Sequence, residues 1–261
     1  MSWRSWGVTY NGLYEPVAAI SAALDEIERN TGLDVKIHVD GASGAMVAPF
    51  CQPELEWDFR VDRVVSINTS GHKYGLVYPG LGWIVWRDRD ALPESMVFYA
   101  SYLGGDMPTL ALNFSRPGAQ VLLQYYNFLR LGRDGYRAVQ QGSIDVAKYL
   151  SEEIGRMGPF ELVSDGSTIP VFAWRLREGH TDKWTLYDLA DRLRMKGWLV
   201  PAYPMADDLA EVTLQRIVVR LGLSRDLATS LLTDMAGEVA FLDGLDAPLP
   251  RPTETGSHFH H

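Results

Sequence analysis

Residues 66–75 read Ser66-Ile-Asn-Thr-Ser-Gly-His-Lys-Tyr-Gly75, and the lysine among them, Lys73, points to the chemistry of the chain. The apolar residues from Val64 predict a buried strand, and the small polar residues that follow predict a turn at its end. A lysine amine that has lost its proton adds to an aldehyde and forms a Schiff base. A solvated surface lysine is the ordinary alternative. The turn therefore makes Lys73 a candidate for covalent attachment of an aldehyde cofactor.

A carboxylate occupies the matching place on the preceding predicted strand. The apolar run Val35, Ile37 and Val39 ends at Asp40, which Gly-Ala-Ser-Gly follows. A lone aspartate after a strand is more often a turn former or a helix cap. An aspartate and a lysine at the ends of successive strands, however, are the pair that pyridoxal 5'-phosphate (PLP) needs, because the lysine holds the aldehyde and the carboxylate keeps the pyridine nitrogen protonated. The sequence therefore predicts a PLP site at one sheet edge.

The remaining pattern predicts an α/β chain in two parts. Helical spacing and Pro16 indicate a helix from Glu15 to Arg29. Strands Val64–Asn68 and Trp83–Trp86 are nearly continuous in apolar residues, as strands buried on both faces are. The later elements follow the same rules, and we predict helices at Gln120–Leu131, Tyr136–Met157, Thr185–Lys196 and Arg225–Leu242 and strands at Phe160–Val163, Val171–Leu176 and Ile217–Leu221.

Composition excludes several classes of protein. The chain has 261 residues, 46% of them hydrophobic and 22% charged, and a net charge of −9, which argues against non-specific binding to nucleic acid or anionic membranes. No apolar run reaches the roughly 20 residues of a membrane span. Cys51 is the single cysteine, so an intrachain disulfide is excluded. We expect a soluble, cytoplasmic protein without a metal site.

Longer stretches of the sequence closely resemble one enzyme family. The resemblance covers most of residues 7 to about 235 and is to the glutamate decarboxylases, which are fold-type I PLP enzymes. The sequences of these motifs differ from those of the related aromatic amino acid decarboxylases. The stretches that carry it are His38-Val-Asp-Gly-Ala-Ser-Gly-Ala-Met-Val-Ala-Pro-Phe50, Trp57-Asp-Phe-Arg60, Ser66 to Gly75, Gly82-Trp-Ile-Val-Trp-Arg-Asp88, Tyr102-Leu-Gly-Gly105, Asn113-Phe-Ser-Arg-Pro117 and Gln124-Tyr-Tyr-Asn-Phe-Leu-Arg-Leu-Gly-Arg133.

The resemblance implies a fold and a domain organisation. We expect part of a fold-type I large domain with a mainly parallel sheet over residues 1–135. A small α+β domain should follow over residues 136–246, and residues 247–261 should form an extended tail. On this resemblance the chain corresponds to the C-terminal 60% or so of the usual family chain, so the first strands of the sheet, the group stacked on the PLP ring and further phosphate contacts would be missing.

The resemblance also implies a role for each residue of the site. Lys73 would carry PLP, and Asp40 would pair with its ring nitrogen. The other cofactor contacts would come from small residues: Ala42 against the ring, Thr9 near its 3-oxygen, Ser70 and His72 at the phosphate, and Ser115 at the phosphate of a neighbouring subunit. For Ala42, Thr9 and His72, ordinary packing roles are the alternatives.

Two further residues would act on the substrate. Arg220, expected at the end of the strand that contains Arg216, would bind the α-carboxylate of the amino acid with two hydrogen bonds. Arg216 is the competing candidate. Tyr102 lies beside Gly104 and Gly105 on a loop that the resemblance places over the substrate during decarboxylation. A strand-end arginine in solvent and a packed surface tyrosine are the alternatives.

The activity implied is decarboxylation of L-glutamate to 4-aminobutanoate and carbon dioxide by a homodimer or a higher homo-oligomer. Two alternatives stay open, namely a non-catalytic remnant or half-subunit that pairs with a missing N-terminal part, and a decarboxylase of another amino acid. We expect the chain alone to be poorly active and prone to associate. The segment after Leu242 carries a single arginine and several prolines, which disfavours the calmodulin binding known in plant relatives. Its terminal histidines are a native tail or a worn purification tag.

Overall fold

The computed structural model describes residues 2–5 (backbone), 8–101, 104–111, 113 and 115–249. Two four-stranded sheets form the frame of the molecule. The first sheet has the order β1-β2-β3-β4, and β2 is parallel to both β1 and β3, whereas β4 runs antiparallel to β3. The bounds of these strands are Ser2–Ser5, Ile37–Asp40, Val64–Ser70 and Gly82–Trp86.

A helix covers the first sheet. Helix α1 spans Val17–Thr31, two residues later than predicted at each end, because Pro16 takes the N-cap position and Gly32 ends the helix in the left-handed conformation. Its Asp25 binds the buried Arg63 guanidinium at 2.5 Å, which ties the helix to the start of β3. The core beneath α1 contains Val17, Ile37, Val39, Ala48, Trp57, Val61, Val64 and Ile67, and a short helix α2 (Ala48–Cys51) closes it.

Strand β4 departs from the prediction. It was expected to be buried on both faces, yet Ile84 is 45% and Val85 50% exposed. The reason is its position, since it is the last strand in the order of the sheet and runs antiparallel. Its apolar composition therefore does not show that both faces are covered. A short hairpin of β5 (Phe98–Ala100) and β6 (Met107–Thr109), which the sequence did not predict, follows it.

Helix α3, Ala119–Arg156, joins the two sheets. Two helices were predicted here, Gln120–Leu131 and Tyr136–Met157, and the structure agrees, because α3 is interrupted between them at Gly132, whose φ of 56° and ψ of −163° are not helical. Before this break most apolar side chains are exposed, whereas Ile144, Leu150 and Ile154 after it are buried. The exposed residues are Val121, Leu122, Leu123, Tyr125, Tyr126, Phe128 and Leu129, and we call them the apolar helix surface.

The second sheet is antiparallel throughout, in the order β7-β8-β10-β9. Helix α3 after its break and helices α4 and α5 contribute buried residues to the same core as this sheet. Thr185 caps α4 reciprocally with Asp188, so the predicted Thr185–Lys196 begins at the N-cap of the helix. The bounds are Phe160–Leu162 (β7), Val171–Leu176 (β8), Leu186–Met195 (α4), Ala202–Pro204 (β9), Thr213–Val218 (β10) and Arg225–Asp243 (α5).

Strand β10 starts four residues and ends three residues earlier than the predicted Ile217–Leu221. It contains Arg216 and ends at Val218, so Arg220 follows the strand and does not end it. The backbone N–H of Val219 donates to Pro170 O at 2.9 Å, outside the regular ladder. The apolar residues continue past the strand, so the sequence pattern did not show where the strand ends.

A third buried cluster joins the two sheets. Met46, Val47 and Tyr74 from the first part pack with Ile144, Ile169 and Val171 from the second. The Tyr74 hydroxyl donates to Pro170 O and Val219 O, both at 3.4 Å, and burial raises its pKa far above the ordinary value. Within the described ranges no helix is both long enough and apolar enough to cross a membrane.

Candidate active site

The lysine turn and the Asp40 loop meet at one edge of the first sheet. Strands β2 and β3 are parallel neighbours, and Asp40 pairs in register with Asn68. At the end of β3, the Ser70 N–H donates to Ala42 O, in the loop after β2, at 3.2 Å. The carboxyl ends of adjacent parallel strands are where open α/β sheets bind ligands. The structure therefore confirms that Asp40 and Lys73 lie at the same edge of the sheet.

The turn that carries Lys73 is tightly held by its own backbone. The N–H of Lys73 donates to Ser70 O at 3.2 Å, and that of Gly71 donates to Leu81 O at 3.1 Å. Leu76, which follows the turn, has a φ of 66°, a conformation that a branched side chain rarely adopts. Such backbone persists where the surroundings hold it in place.

Helix α3 supplies that support through its side chains. The amide of Gln140 donates to Tyr74 O at 2.7 Å, and that of Gln124 donates to Gly75 O at 2.8 Å. Tyr136 also donates to Gly75 O, at 3.0 Å, and Asn127 donates to Leu76 O at 2.9 Å. Consecutive carbonyls after Lys73 are thus bound by α3 residues from both sides of the break at Gly132. Gln124 and Asn127 lie in a stretch that carries the family resemblance, but no contact with the lysine turn was predicted for any of these residues, because nothing in a helical pattern shows which loop its polar side chains contact.

A cleft of about 500 Å³ opens beside the lysine. Of the predicted site residues it includes Thr9, His72, Lys73 and Arg220, together with the competing Arg216. Lys73 is exposed, so its amine is accessible to a ligand. The remaining lining residues are Val8, Ser43, Tyr74, Pro79, Ile169, Val171, Leu199, Pro201 and Val218.

The other predicted residues do not line this cleft. Asp40, Ala42 and Ser70 are half-buried in the adjoining strand ends and loop, where Ser43 is the residue that reaches the cleft. Ser115 is exposed in the segment before α3. Tyr102 lies outside the described residues, as do the terminal histidines.

The two arginines of the cleft, Arg216 and Arg220, differ in the contacts of their side chains. Arg216 donates from Nη1 to Thr9 O, and its guanidinium lies 5.3 Å from the centre of the Tyr203 ring. Among the described residues Arg220 has no ion pair and no side-chain hydrogen bond, and it is exposed. Arg220 is therefore the arginine that is available to an anionic ligand, and Arg216 holds the Thr9 segment against the second sheet.

The chemistry of these side chains fits PLP. Lys73 offers an amine for the aldehyde, and Ser43, Thr9 and His72 offer short polar groups around it. His72 donates from Nδ1 to Leu81 O at 3.0 Å, so Nε2 is left for another partner. Asp40 accepts two hydrogen bonds on Oδ1, from Ala42 N and Asn68 Nδ2. Within the described ranges, no group of His, Cys, Asp and Glu side chains is suited to hold a metal ion.

The comparisons with known proteins agree with this chemistry. Residues 4–177 match the family model described as the pyridoxal-dependent decarboxylase conserved domain. The chain therefore belongs to the pyridoxal-dependent decarboxylase family. It is 52% identical over 236 residues to a glutamate decarboxylase of Aliivibrio fischeri and 51% identical over 229 residues to one of Lactococcus lactis. These matches cover 90% and 88% of this chain but 51% and 49% of the relatives, so the chain spans about half their length.

Solved structures give the same result. A Lactobacillus brevis glutamate decarboxylase superposes with a TM-score of 0.88 at 46% identity, covering 93% of this chain and 55% of that one. A Burkholderia pseudomallei sphingosine-1-phosphate lyase superposes with a TM-score of 0.73 at 23% identity, covering 91% and 51%, and shows the fold alone. The predicted fold class, part of a fold-type I large domain followed by a small α+β domain, is confirmed.

Proposed function

We propose that this chain is part of a PLP-dependent enzyme that decarboxylates L-glutamate to 4-aminobutanoate and carbon dioxide. One observation carries the proposal: an accessible lysine lies in a cleft at the same sheet edge as an aspartate on the adjacent parallel strand. The names of the relatives at about 50% identity support glutamate as the substrate. Glutamate and one proton give 4-aminobutanoate and carbon dioxide, so the reaction is balanced without an oxidant.

Each residue then has a defined task. Lys73 would hold the aldehyde carbon, and Asp40 would pair with the ring nitrogen. His72 and Ser70 would contact the phosphate, Thr9 would lie near the 3-oxygen and Ala42 against the ring, and Tyr102 would close over the substrate. When bound, PLP withdraws electrons from the amino acid Cα, which allows the carboxylate to leave as carbon dioxide.

Arg220 would bind a substrate carboxylate. A guanidinium forms two parallel hydrogen bonds with a carboxylate, which fixes its orientation as well as its position. Thr9 and Arg216 border the same cleft, together with the apolar Leu199 and Val218. The orientation of the bond that breaks is thus set by the chain before any chemistry occurs.

Assembly and domain limits belong to the same proposal. We place the boundary between the large domain and the small α+β domain near residue 135, close to the break at Gly132. The exposed segment with Ser115 would reach a neighbouring subunit, and a homodimer or a higher oligomer would result. Cytoplasmic localisation remains a prediction from composition.

The decisive experiment is capture of the cofactor. Incubation with PLP, borohydride reduction and peptide mass spectrometry should place the label on Lys73, and Lys73→Ala should remove it. Lys36→Ala is the matched control, because Lys36 lies just before β2, at the opposite end of the strand from Asp40. Labelling that persists in Lys73→Ala would disprove the assignment.

Turnover then separates the alternatives. Carbon dioxide release from glutamate and from other amino acids tests the substrate, and glutamate should be preferred. The same assay is repeated with the other half of the Aliivibrio fischeri relative added. Capture on Lys73 with turnover only in the mixture would favour the half-subunit, and turnover of another amino acid would replace glutamate.

A further inference from the structure

A directional chain of hydrogen bonds ends on Asp40. Its Oδ1 accepts from the Ala42 N–H at 3.1 Å and from Asn68 Nδ2 at 3.0 Å. Within the part of the chain that the structure describes, Oδ2 accepts no hydrogen bond. One carboxylate oxygen is therefore fixed by the protein, and the other is left to accept a proton donor.

The direction of these hydrogen bonds follows from the Asp40 carboxylate, which can only accept. Because the Asn68 NH₂ group donates to the carboxylate, its Oδ1 must be the acceptor for His38 Nε2 at 3.2 Å. His38 Nε2 therefore carries the proton, and its Nδ1 accepts from the Ser66 hydroxyl at 2.8 Å. Ser66, His38 and Asn68 thus form one line of donors directed at Asp40.

The strands hold this line rigidly. His38 and Asp40 lie two residues apart on β2, Ser66 and Asn68 lie two apart on β3, and the strands pair them as His38 with Ser66 and Asp40 with Asn68. Ser66 is fully buried and His38 is 5% exposed. Burial also lowers the pKa of His38, which favours the neutral ring that this bonding pattern requires.

We propose that Asn68 and His38 are positioning residues that orient the Asp40 carboxylate toward the pyridine nitrogen of the cofactor. This inference rests on the proposed function, since it gives Asp40 the same partner. Asn68 stabilises the charged carboxylate directly, and His38 keeps the Asn68 amide from rotating. A positioned anion raises the basicity of the pyridine nitrogen, so the nitrogen stays protonated at neutral pH and above.

The test uses the 261-residue chain loaded with PLP that carries ¹⁵N at the ring nitrogen. The ¹⁵N chemical shift distinguishes a protonated from a neutral pyridine. We expect the parent to be protonated at pH 8, whereas Asn68→Leu should lower the midpoint of protonation by about one pH unit, a tenfold change in the equilibrium. His38→Leu should shift it in the same direction, and His38→Gln should restore it, because the glutamine NH₂ group replaces Nε2–H.

The outcomes separate the two proposals. Failure of the parent to capture PLP on Lys73 would contradict the proposed function and this inference together. Capture by the parent, with an unchanged ¹⁵N midpoint in folded Asn68→Leu and His38→Leu, would contradict the inference alone. Should both leucine variants fail to fold, Ser66→Ala removes only the hydroxyl at the start of the line. An unchanged midpoint there would overturn the proposal, and a lowered midpoint would support it.

Discussion

Gly75 lies where the lysine turn meets the buried amide of Gln124. A Cβ at this position would lie 2.7 Å from Gln124 Oε1 and 2.7 Å from Gly71 Cα. We expect Gly75→Ala to destabilise the fold by about 1–3 kcal/mol, since overpacking forces backbone to move. Urea unfolding measures the effect. Gly142→Ala is the control, because Gly142 lies in α3 with nothing within 4 Å, and alanine there should stabilise by up to about 1 kcal/mol.

His38 makes stability depend on pH. Burial holds its pKa below the ordinary 6.5, so the unfolded chain binds a proton that the folded chain excludes. The stabilisation is therefore complete above pH 6.5 and is lost as the pH falls through the lowered folded pKa. We expect the free energy of unfolding to fall more steeply between pH 7.5 and 5 in the parent than in His38→Gln. The free energies are measured by urea unfolding at each pH. If they fall equally with pH in both proteins, His38 does not contribute to this dependence.

At the scale of single residues, the sequence predicted where the site residues lie in the sheet better than it predicted their side-chain contacts. The expectation that Asp40 and Lys73 lie at the ends of parallel strands is confirmed, since β2 and β3 pair in parallel, Asp40 ends β2 and Lys73 lies in the turn after β3. Their chemical roles remain predictions. Asn68 carried no signal of its own, because its importance depends on register with β2, which a single sequence does not show.

At the scale of elements, Gln140 shows what helix α3 does for the lysine turn. Its amide donates to Tyr74 O, and the residue is fully buried. Gln140→Leu leaves that carbonyl without its donor, which should cost about 1–3 kcal/mol and raise hydrogen exchange in residues 73–77. Gln141→Leu is the matched control, because Gln141 is exposed and bonds Asp145 of the same helix. Equal exchange in the two variants would refute this role for α3.

The long helices α1, α4 and α5 were predicted to within about two residues, and of the three-residue strands only β7 was predicted. Helix α5 began at the predicted Arg225 because Ser224 is a regular N-cap, and β8 matched at both ends. The strands β5, β6 and β9 have three residues each, too few for an alternating pattern to be detected. Strand β10 was misplaced because Val219 and Leu221 extend the apolar run beyond the ladder.

At the scale of the molecule, the two cores explain the two-part organisation. Each sheet has its own buried cluster, and a smaller third cluster around Tyr74 joins them at the lysine turn. The sequence predicted three strands in each sheet from their apolar runs. It did not predict the junction, because the residues of the third cluster come from distant parts of the chain.

The apolar helix surface bears on whether the chain associates with itself. Leu122 and Leu129 are 71% and 69% exposed, and the surface is contiguous along the helix before Gly132. Contiguous apolar surface of this kind marks association sites, so we expect the chain to self-associate in a concentration-dependent manner. Leu122→Lys and Leu129→Lys should each weaken association at least ~10-fold by sedimentation equilibrium, because a charge must be desolvated in the contact.

Met195→Lys is the matched control for this prediction. Met195 is 72% exposed, yet it lies in the last turn of α4, away from the apolar helix surface. The Met195→Lys variant should therefore associate as the parent does, since isolated exposed apolar residues are ordinary on protein surfaces. A monomeric parent at every concentration would show that the surface does not bind a second copy. Equal weakening by Met195→Lys would instead assign the effect to net charge, because each substitution adds one positive charge to a chain whose net charge is −9.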